Sequence, residues 1–278
     1  VTDRSKGVLY GIAAYGWWGF VAIYFKAMSR VPPLEVLSHR IVWSVVMLAA
    51  VIVFMRRWNP LRAVVSDRRA LRLLALSAFL VAANWYVFIW AVSHEHLLDA
   101  SLGYFINPLV NVVLGFLFLG ERLRPLEWVS VALAAAAVTW LAIGAGVVPW
   151  ISLTVAVTFG FYGLVRKIAG VASLEGLAIE TALLLPLALG YLVFRSTGFE
   201  PWLIASGPIT ALPLLWFASA VRRLRLATVG LLQYISPTLQ FALAIGLYHE
   251  PFGREKLIVF LLIWCAIGIY SAANLRHD

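Results

Sequence analysis

Charge is scarce in this chain. Only 13% of its 278 residues are charged, against about 25% in an ordinary soluble domain. Cysteine is nearly absent: the single Cys265 excludes an intrachain disulfide and a cysteine-based zinc cluster. His94, Glu95 and His96 lack the i, i+4 spacing of a helical zinc motif, so neither a metal nor a cofactor is expected. Acidic residues are few as well, 13 against 22 lysines and arginines, for a net charge of +9 and a pI near 10.0. In a soluble protein that balance suggests nucleic acid. Here the basic residues lie in short loops between apolar runs. They read instead as a record of membrane orientation and contact with anionic lipid, with no nucleic-acid partner.

What is abundant is apolar surface: 63% of residues are hydrophobic and the mean hydropathy is +0.91. One soluble core of this size cannot hide that much, so the chain calls for a bilayer. Lipid offers no hydrogen-bond partners, so spanning elements must be helices or a closed barrel. The apolar runs are about 20 residues long without strict alternation, which selects helices. The first run is long enough to span and has no small-residue cleavage site after a short core, so it is expected to be retained.

Ten spans are predicted: Gly7–Met28, Leu34–Met55, Leu71–Ser93, Leu98–Leu119, Leu126–Ile143, Val148–Val165, Leu174–Val193, Ile204–Val221, Ala227–Leu247 and Leu257–Leu275. Connections are short except Arg56–Ala70, and no separate soluble domain fits. With the N-terminus inside, 16 Lys and Arg fall on the cytoplasmic side and 5 on the other, and Arg40 lies within a span. That bias predicts both termini in the cytoplasm.

An internal repeat divides the chain into residues 1–146 and 147–278. A shift of 129 places Phe88 on Phe217, Ala91 on Ala220, Ile106 on Ile235, Pro108 on Pro237 and Glu121 on Glu250. Earlier in each half, a shift of 141 places Gly19-Phe20 on Gly160-Phe161 and Lys26 on Lys167, and a shift of 140 places Leu34-Glu35 on Leu174-Glu175. Five spans per half is odd, so the second half must enter the membrane from the opposite side. The predicted fold is all-α: ten transmembrane helices in two inverted five-helix repeats around a central cavity. Such repeats suit alternating access, although internal symmetry also occurs in channels.

Polar residues inside the spans form a pattern. Tyr104, Asn107 and Asn111 share one face of the fourth span, and Gln233, Ser236 and Gln240 hold the matching positions of the ninth. Each stripe adjoins an interior proline, Pro108 or Pro237, a candidate hinge that frees the carbonyl of Tyr104 or Gln233. These groups either line a binding cavity or join helices as interhelical hydrogen bonds. Asn84, Trp85 and Phe88 of the third span, Trp17 and Trp18 of the first, and Thr154, Thr158 and Tyr162 of the sixth are candidates for the cavity wall. So are Pro213, Trp216 and Phe217 of the eighth. The bland reading of the aromatics is packing and interfacial belts. Among the few ionisable groups within spans, Glu35, His39, Arg40 and Glu180 are candidates for a charge or proton role. Arg40 and Glu180 correspond in the repeat, so inversion sets them apart. Each lies near a helix end, where snorkelling or neutralising a nearby charge is the plainer explanation. Asp99 reads as an N-cap.

The stretch ASLGYFINPLVNVVLGFLFLGERL at Ala100–Leu123 resembles the drug/metabolite transporter superfamily, in its EamA-type group and RarD branch. NWYVFIWAV at Asn84–Val92, FYGLVRK at Phe161–Lys167 and QYISPTLQF at Gln233–Phe241 extend the likeness over almost the whole chain. The resemblance implies ten helices in two inverted repeats in the bacterial inner membrane. It also implies export of small metabolites or drugs through a cavity lined by helices one, three, four, six, eight and nine. Similar members include amino-acid exporters such as YddG, and the RarD name is linked to chloramphenicol.

The expected function is therefore export of small amphipathic metabolites, foremost amino acids including aromatic ones, with a drug or other metabolite carrier as the alternative. In that picture the freed carbonyls receive an ammonium, the Asn and Gln amides a carboxylate, and Trp and Tyr the side chain. The spans show no nucleophile–base pair, paired carboxylate or metal spacing to suggest an enzyme, and no signalling domain suggests a receptor. Partners are a small-molecule substrate and lipids; monomer and homodimer both stay open, as do proton coupling and facilitated diffusion.

Overall fold

In a computed structural model of the protein, the described residues are 3–120, 122, 124–145, 148–196, 198, 200–221, 223–224 and 232–275. Among them there is no strand. The helices are α1 (Asp3–Ala27), α2 (Pro33–Phe54), α3 (Trp58–Ser66), α4 (Arg68–Ser93), α5 (Leu97–Leu119), α6 (Pro125–Ala145), α7 (Trp150–Ala169), α8 (Ser173–Arg195), α9 (Ser206–Val221), α10 (Ile235–Gly246) and α11 (Arg254–Leu275). Eight of these, α1, α2, α4–α8 and α11, are long and apolar enough to cross a membrane. The last two expected spans to be placed are α9, preceded by a 3-10 turn at Pro201–Ala205, and the 12-residue α10. The expected start of the ninth span, at residues 227–231, lies outside the described residues, as do Glu121 and Arg222.

Local chemistry sets the helix ends. Pro33 opens α2, where a missing N–H costs nothing. The Asp67 carboxylate accepts from the N–H groups of Arg69 (2.8 Å) and Ala70 (3.1 Å) and so caps α4. Gly120 and Gly170 close α5 and α7 in the left-handed conformation, at φ +66° and +64°. The Arg56–Ala70 connection contains a feature that loop length alone concealed: α3, a short helix with no buried residue, whose Trp58, Leu61 and Val64 recur at helical spacing. Its exposed Trp58 and Val65 beside Arg62, Arg68 and Arg69 suit a helix lying in the membrane interface.

Asp99 is not the cap of its helix. α5 begins at Leu97, so Asp99 sits in the first turn, held by His96 Nδ1 (3.0 Å) and Lys256 Nζ (2.9 Å). The first N–H groups of α5 are satisfied from far along the chain. Glu250 accepts from Leu97 N and Leu98 N, both at 2.8 Å. Its negative charge at a helix N-terminus is favourable as well.

Packing is organised around α1, α2, α4, α5 and α7. α1 lies against α9 and α10, α4 against α7 and α8, α2 against α8 and α9, and α5 against α7 and α10, while α6 pairs with α11. Close helix approaches need glycine: a Cβ on Gly103 would stand 2.6 Å from the Ser152 carbonyl oxygen, and one on Gly160 would stand 2.8 Å from Val110. Small residues bring helix axes together where lipid gives no hydrophobic driving force. The core runs continuously from Phe25 and Ile41 through Val81 and Phe88 to Leu102, Phe105 and Phe260. Two buried carboxylates mark opposite ends of α2: Glu35 accepts from Ser196 Oγ (2.5 Å), and Arg57, just past the other end, meets Glu175 of α8 at 2.6 Å.

Candidate functional site

The polar residues singled out in the fourth span converge with those of the third and sixth. Asn84 of α4, 1% exposed, donates through Nδ2 to the Val155 carbonyl (3.0 Å) and Thr158 Oγ1 (3.1 Å) of α7. Its Oδ1 accepts from Tyr104 OH at 3.0 Å. Asn107, fully buried, donates to the Ala156 carbonyl at 2.9 Å. The Asn107 Oδ1 accepts from Asn111 (3.2 Å) and from Gln233 (3.3 Å). Six expected site residues thus form two hydrogen-bonded groups, Thr158–Asn84–Tyr104 between α7, α4 and α5, and Asn111–Asn107–Gln233 between α5 and the segment before α10.

Most of the capacity of these two groups is used between helices. Asn84 and Asn107 satisfy α7 carbonyls, which is interhelical joining in a setting where an unsatisfied polar group is costly. The free ends are Asn111, which is exposed, and Gln233, which is partly so. Neither side-chain oxygen accepts from a described residue.

Ser236 and Gln240 form a second cluster. Gln240 Nε2 donates to Ser236 Oγ (3.3 Å) and to the Trp18 carbonyl of α1 (3.2 Å). Trp17 and Trp216 form a third, edge to face at 5.7 Å, with Trp17 Nε1 donating to the Ile209 carbonyl (3.0 Å). Tyr162 donates to Glu180 Oε2 at 3.3 Å, and its ring reaches Tyr104 through Phe159, at 5.8 and 6.0 Å. Phe88 packs edge-on against Tyr104 at 5.8 Å and against Phe25 at 6.0 Å. Sequence reasoning passed over Phe159, yet a shift of 141 places it on Trp18, already a candidate.

The two candidate hinges differ. Pro108 lies inside a continuous α5. Pro237 is in the first turn of α10, not its interior, because the helix breaks at Tyr234, next to the Gln233 carbonyl that the proline ring displaces.

The buried charges also differ. Glu180, fully buried, accepts from Ser77 Oγ (2.5 Å) and faces Arg166 at 3.5 Å. Arg166 stands in the last turn of α7. It reaches inward because Gly176, one turn before Glu180, leaves the space its guanidinium fills. His39 and Arg40 are each 8% exposed on α2. The Arg40 guanidinium is packed among rings: its carbon lies 4.0 Å from the Trp85 ring centroid and 5.4 Å from that of Phe25.

Comparison with known proteins agrees with this architecture. The EamA-like transporter family matches residues 5–143. The protein RarD of Escherichia coli K12 is 45% identical over 96% of this chain and 94% of its own length. An uncharacterized transporter of Vibrio cholerae is 47% identical over 99% and 94%. A chloramphenicol-sensitive protein RarD of Pseudomonas aeruginosa is 34% identical over 99% and 97%. A solved crystal structure, 20% identical, superposes with a TM-score of 0.62 over 99% of this chain and all of its own, which is a likeness of fold.

Proposed function

Because the chain belongs to the EamA-like transporter family, we propose that this multi-pass membrane protein exports small amphipathic metabolites, foremost amino acids, from the bacterial cytoplasm. The observation that carries the proposal is the pair of amide and hydroxyl groups between the helices, one from Thr158 through Asn84 to Tyr104 and one from Asn107 to Asn111 and Gln233. The side-chain oxygens of Asn111 and Gln233 accept from no described residue, and the rings of Phe88 and Phe159 pack against Tyr104, a lining that suits a ligand with both polar and apolar parts. The carbonyl released by Pro108 is the natural acceptor for an ammonium group.

The transport cycle we propose is alternating access between residues 1–146 and 147–278, inverted relative to each other, in the inner membrane with both termini inside. Helix contacts support it. α1 on α9 is answered by α7 on α4, α1 on α10 by α7 on α5, and α2 on α9 by α8 on α4. α2–α8, α5–α10 and α6–α11 each pair a helix with its own repeat mate. Inverted repeats of this kind tilt as units around a midplane site. The pairing of Glu180 with Arg166 favours facilitated diffusion over proton coupling through Glu180. Under an imposed pH gradient, Glu180→Gln is expected to keep the wild-type flux ratio.

Proteoliposomes loaded with radiolabelled amino acids test the proposal. Protein-dependent efflux of at least one, aromatic ones first, is expected; no flux for any amino acid would sink it. The second reading, a drug carrier, is favoured by the name of the Pseudomonas aeruginosa relative. Chloramphenicol efflux without amino-acid flux would select it.

A further inference from the structure

Arg40 is a buried cation that no acid among the described residues answers. Its side chain is 8% exposed, its Nε has no hydrogen-bond partner, and none of the ion pairs among the described residues includes it. Its electrostatic neighbours are the phenols of Tyr104 and Tyr24. The matched position in the other half shows the contrasting arrangement, since Glu180 is met by Arg166, Ser77 and Tyr162. A charge taken out of water without a counter-charge is costly, and within a membrane such a residue marks a binding or conduction site.

The surroundings define what would complete it. Trp85 packs against the guanidinium, a contact that takes up none of the N–H donors along its edge. That edge is a planar fork, which matches a carboxylate through two parallel hydrogen bonds. Tyr104 ties the spot to Asn84 and Thr158, and Phe25 and Phe88 supply apolar rings beside it. The charge on offer is single. Lys26, at the end of α1, is engaged by Glu95 at 3.5 Å and lies over Tyr248. A monoanion fits and a dianionic phosphate does not. The amide stripe is a poorer carboxylate partner, because Asn107 is already committed to Ala156, Asn111 and Gln233.

We propose that Arg40 binds the carboxylate of the cargo, so that the cargo is a monocarboxylate with an aromatic or aliphatic body. A zwitterionic amino acid and an arylalkanoic acid share that chemistry. The inference rests on the carrier reading and deepens it by naming the substrate class.

The test uses the purified full chain in detergent, titrated calorimetrically with matched pairs: 3-phenylpropionate against 3-phenylpropanamide, and phenylalanine against phenylalaninamide. Wild-type protein is expected to bind each acid about tenfold more tightly than its amide. Arg40→Gln is expected to abolish that preference, and Arg40→Lys to keep part of it. Equal affinity for acid and amide in the wild type overturns the proposal, as does acid preference surviving in Arg40→Gln, or no saturable binding of either acid. The wild-type comparison decides the matter even where Arg40→Gln does not fold. Liposome flux separates the two readings. Flux of an amide or amine with none of any acid leaves the carrier standing and removes the Arg40 assignment. Arg40-dependent binding of acids with no flux of anything does the reverse.

Discussion

The Oδ1 of Asn107 stands 3.3 Å from Nε2 of Gln233, joining the two halves of the chain beside Pro108. Asn107 is fully buried and also holds the Ala156 carbonyl and Asn111, whereas Gln233 makes this one described contact from a partly exposed position. Asn107→Ala should therefore cost about 1–2 kcal/mol, the scale for leaving buried partners unmade. Gln233→Ala should cost well under half of that yet lower proteoliposome flux several-fold, if its free amide meets cargo. Thermal unfolding in detergent alongside flux checks both. Equal stability losses in the two variants would contradict the assignment.

Glu180 and Arg166 should behave as a unit. Removing the cation alone leaves a buried carboxylate supported, among the described residues, by Ser77 and Tyr162 alone. Arg166→Met should thus destabilise more than the double variant Arg166→Met/Glu180→Gln, with a coupling of about 1–3 kcal/mol. A double-mutant cycle by chemical denaturation measures it, and strict additivity would refute it.

Glu250 lies outside the spans, at the start of α5. Burial pushes its carboxyl above the usual carboxylate range, against the Leu98 and Leu97 N–H groups and Lys256, which pull it down. The folded protein then holds that proton more tightly than the unfolded chain does. Between the ordinary carboxylate value and the raised one, this group makes stability fall as pH rises. Glu250→Gln should remove that slope. Melting temperatures from pH 4 to pH 7 for wild type and variant supply the comparison, and parallel curves would count against it.

Two glycines give a packing test. A Cβ on Gly103 would stand 2.6 Å from the Ser152 carbonyl oxygen, a backbone atom that cannot swing away, while one on Gly16 meets nothing within 4 Å. Gly103→Ala should cost about 1–3 kcal/mol, as overpacking does, and Gly16→Ala close to nothing. Comparable melting temperatures for the two would mean that α5 and α7 are not so closely apposed.

Much of the candidate site was legible in order and spacing. Tyr104, Asn107 and Asn111 share a face because helical geometry puts i, i+3 and i+7 together, and the repeat pointed to Gln233 and Gln240 as their mates. The partners were not legible. Nothing local says that Asn84 would meet α7 at Val155, or that Gly176 would admit Arg166, since those contacts depend on how distant helices cross. Asp99 was misread as a cap for the same reason. The group that serves the α5 N-terminus is Glu250, 153 residues beyond Leu97.

What the sequence determined by itself is the solvent and the secondary structure. Apolar runs of bilayer length can satisfy their backbone in lipid only as helices, and prolines, glycines and Asp67 punctuate them. Only the tertiary structure decided which polar groups are used up between helices and which remain available. Asn107 and Arg40 look equally out of place in an apolar span. Asn107 found its acceptor on the backbone of α7, whereas Arg40 packed against Trp85 and Phe25 and forms no ion pair with a described carboxylate. Hydrogen-bond satisfaction is a property of neighbours in space, and packing alone brings them together.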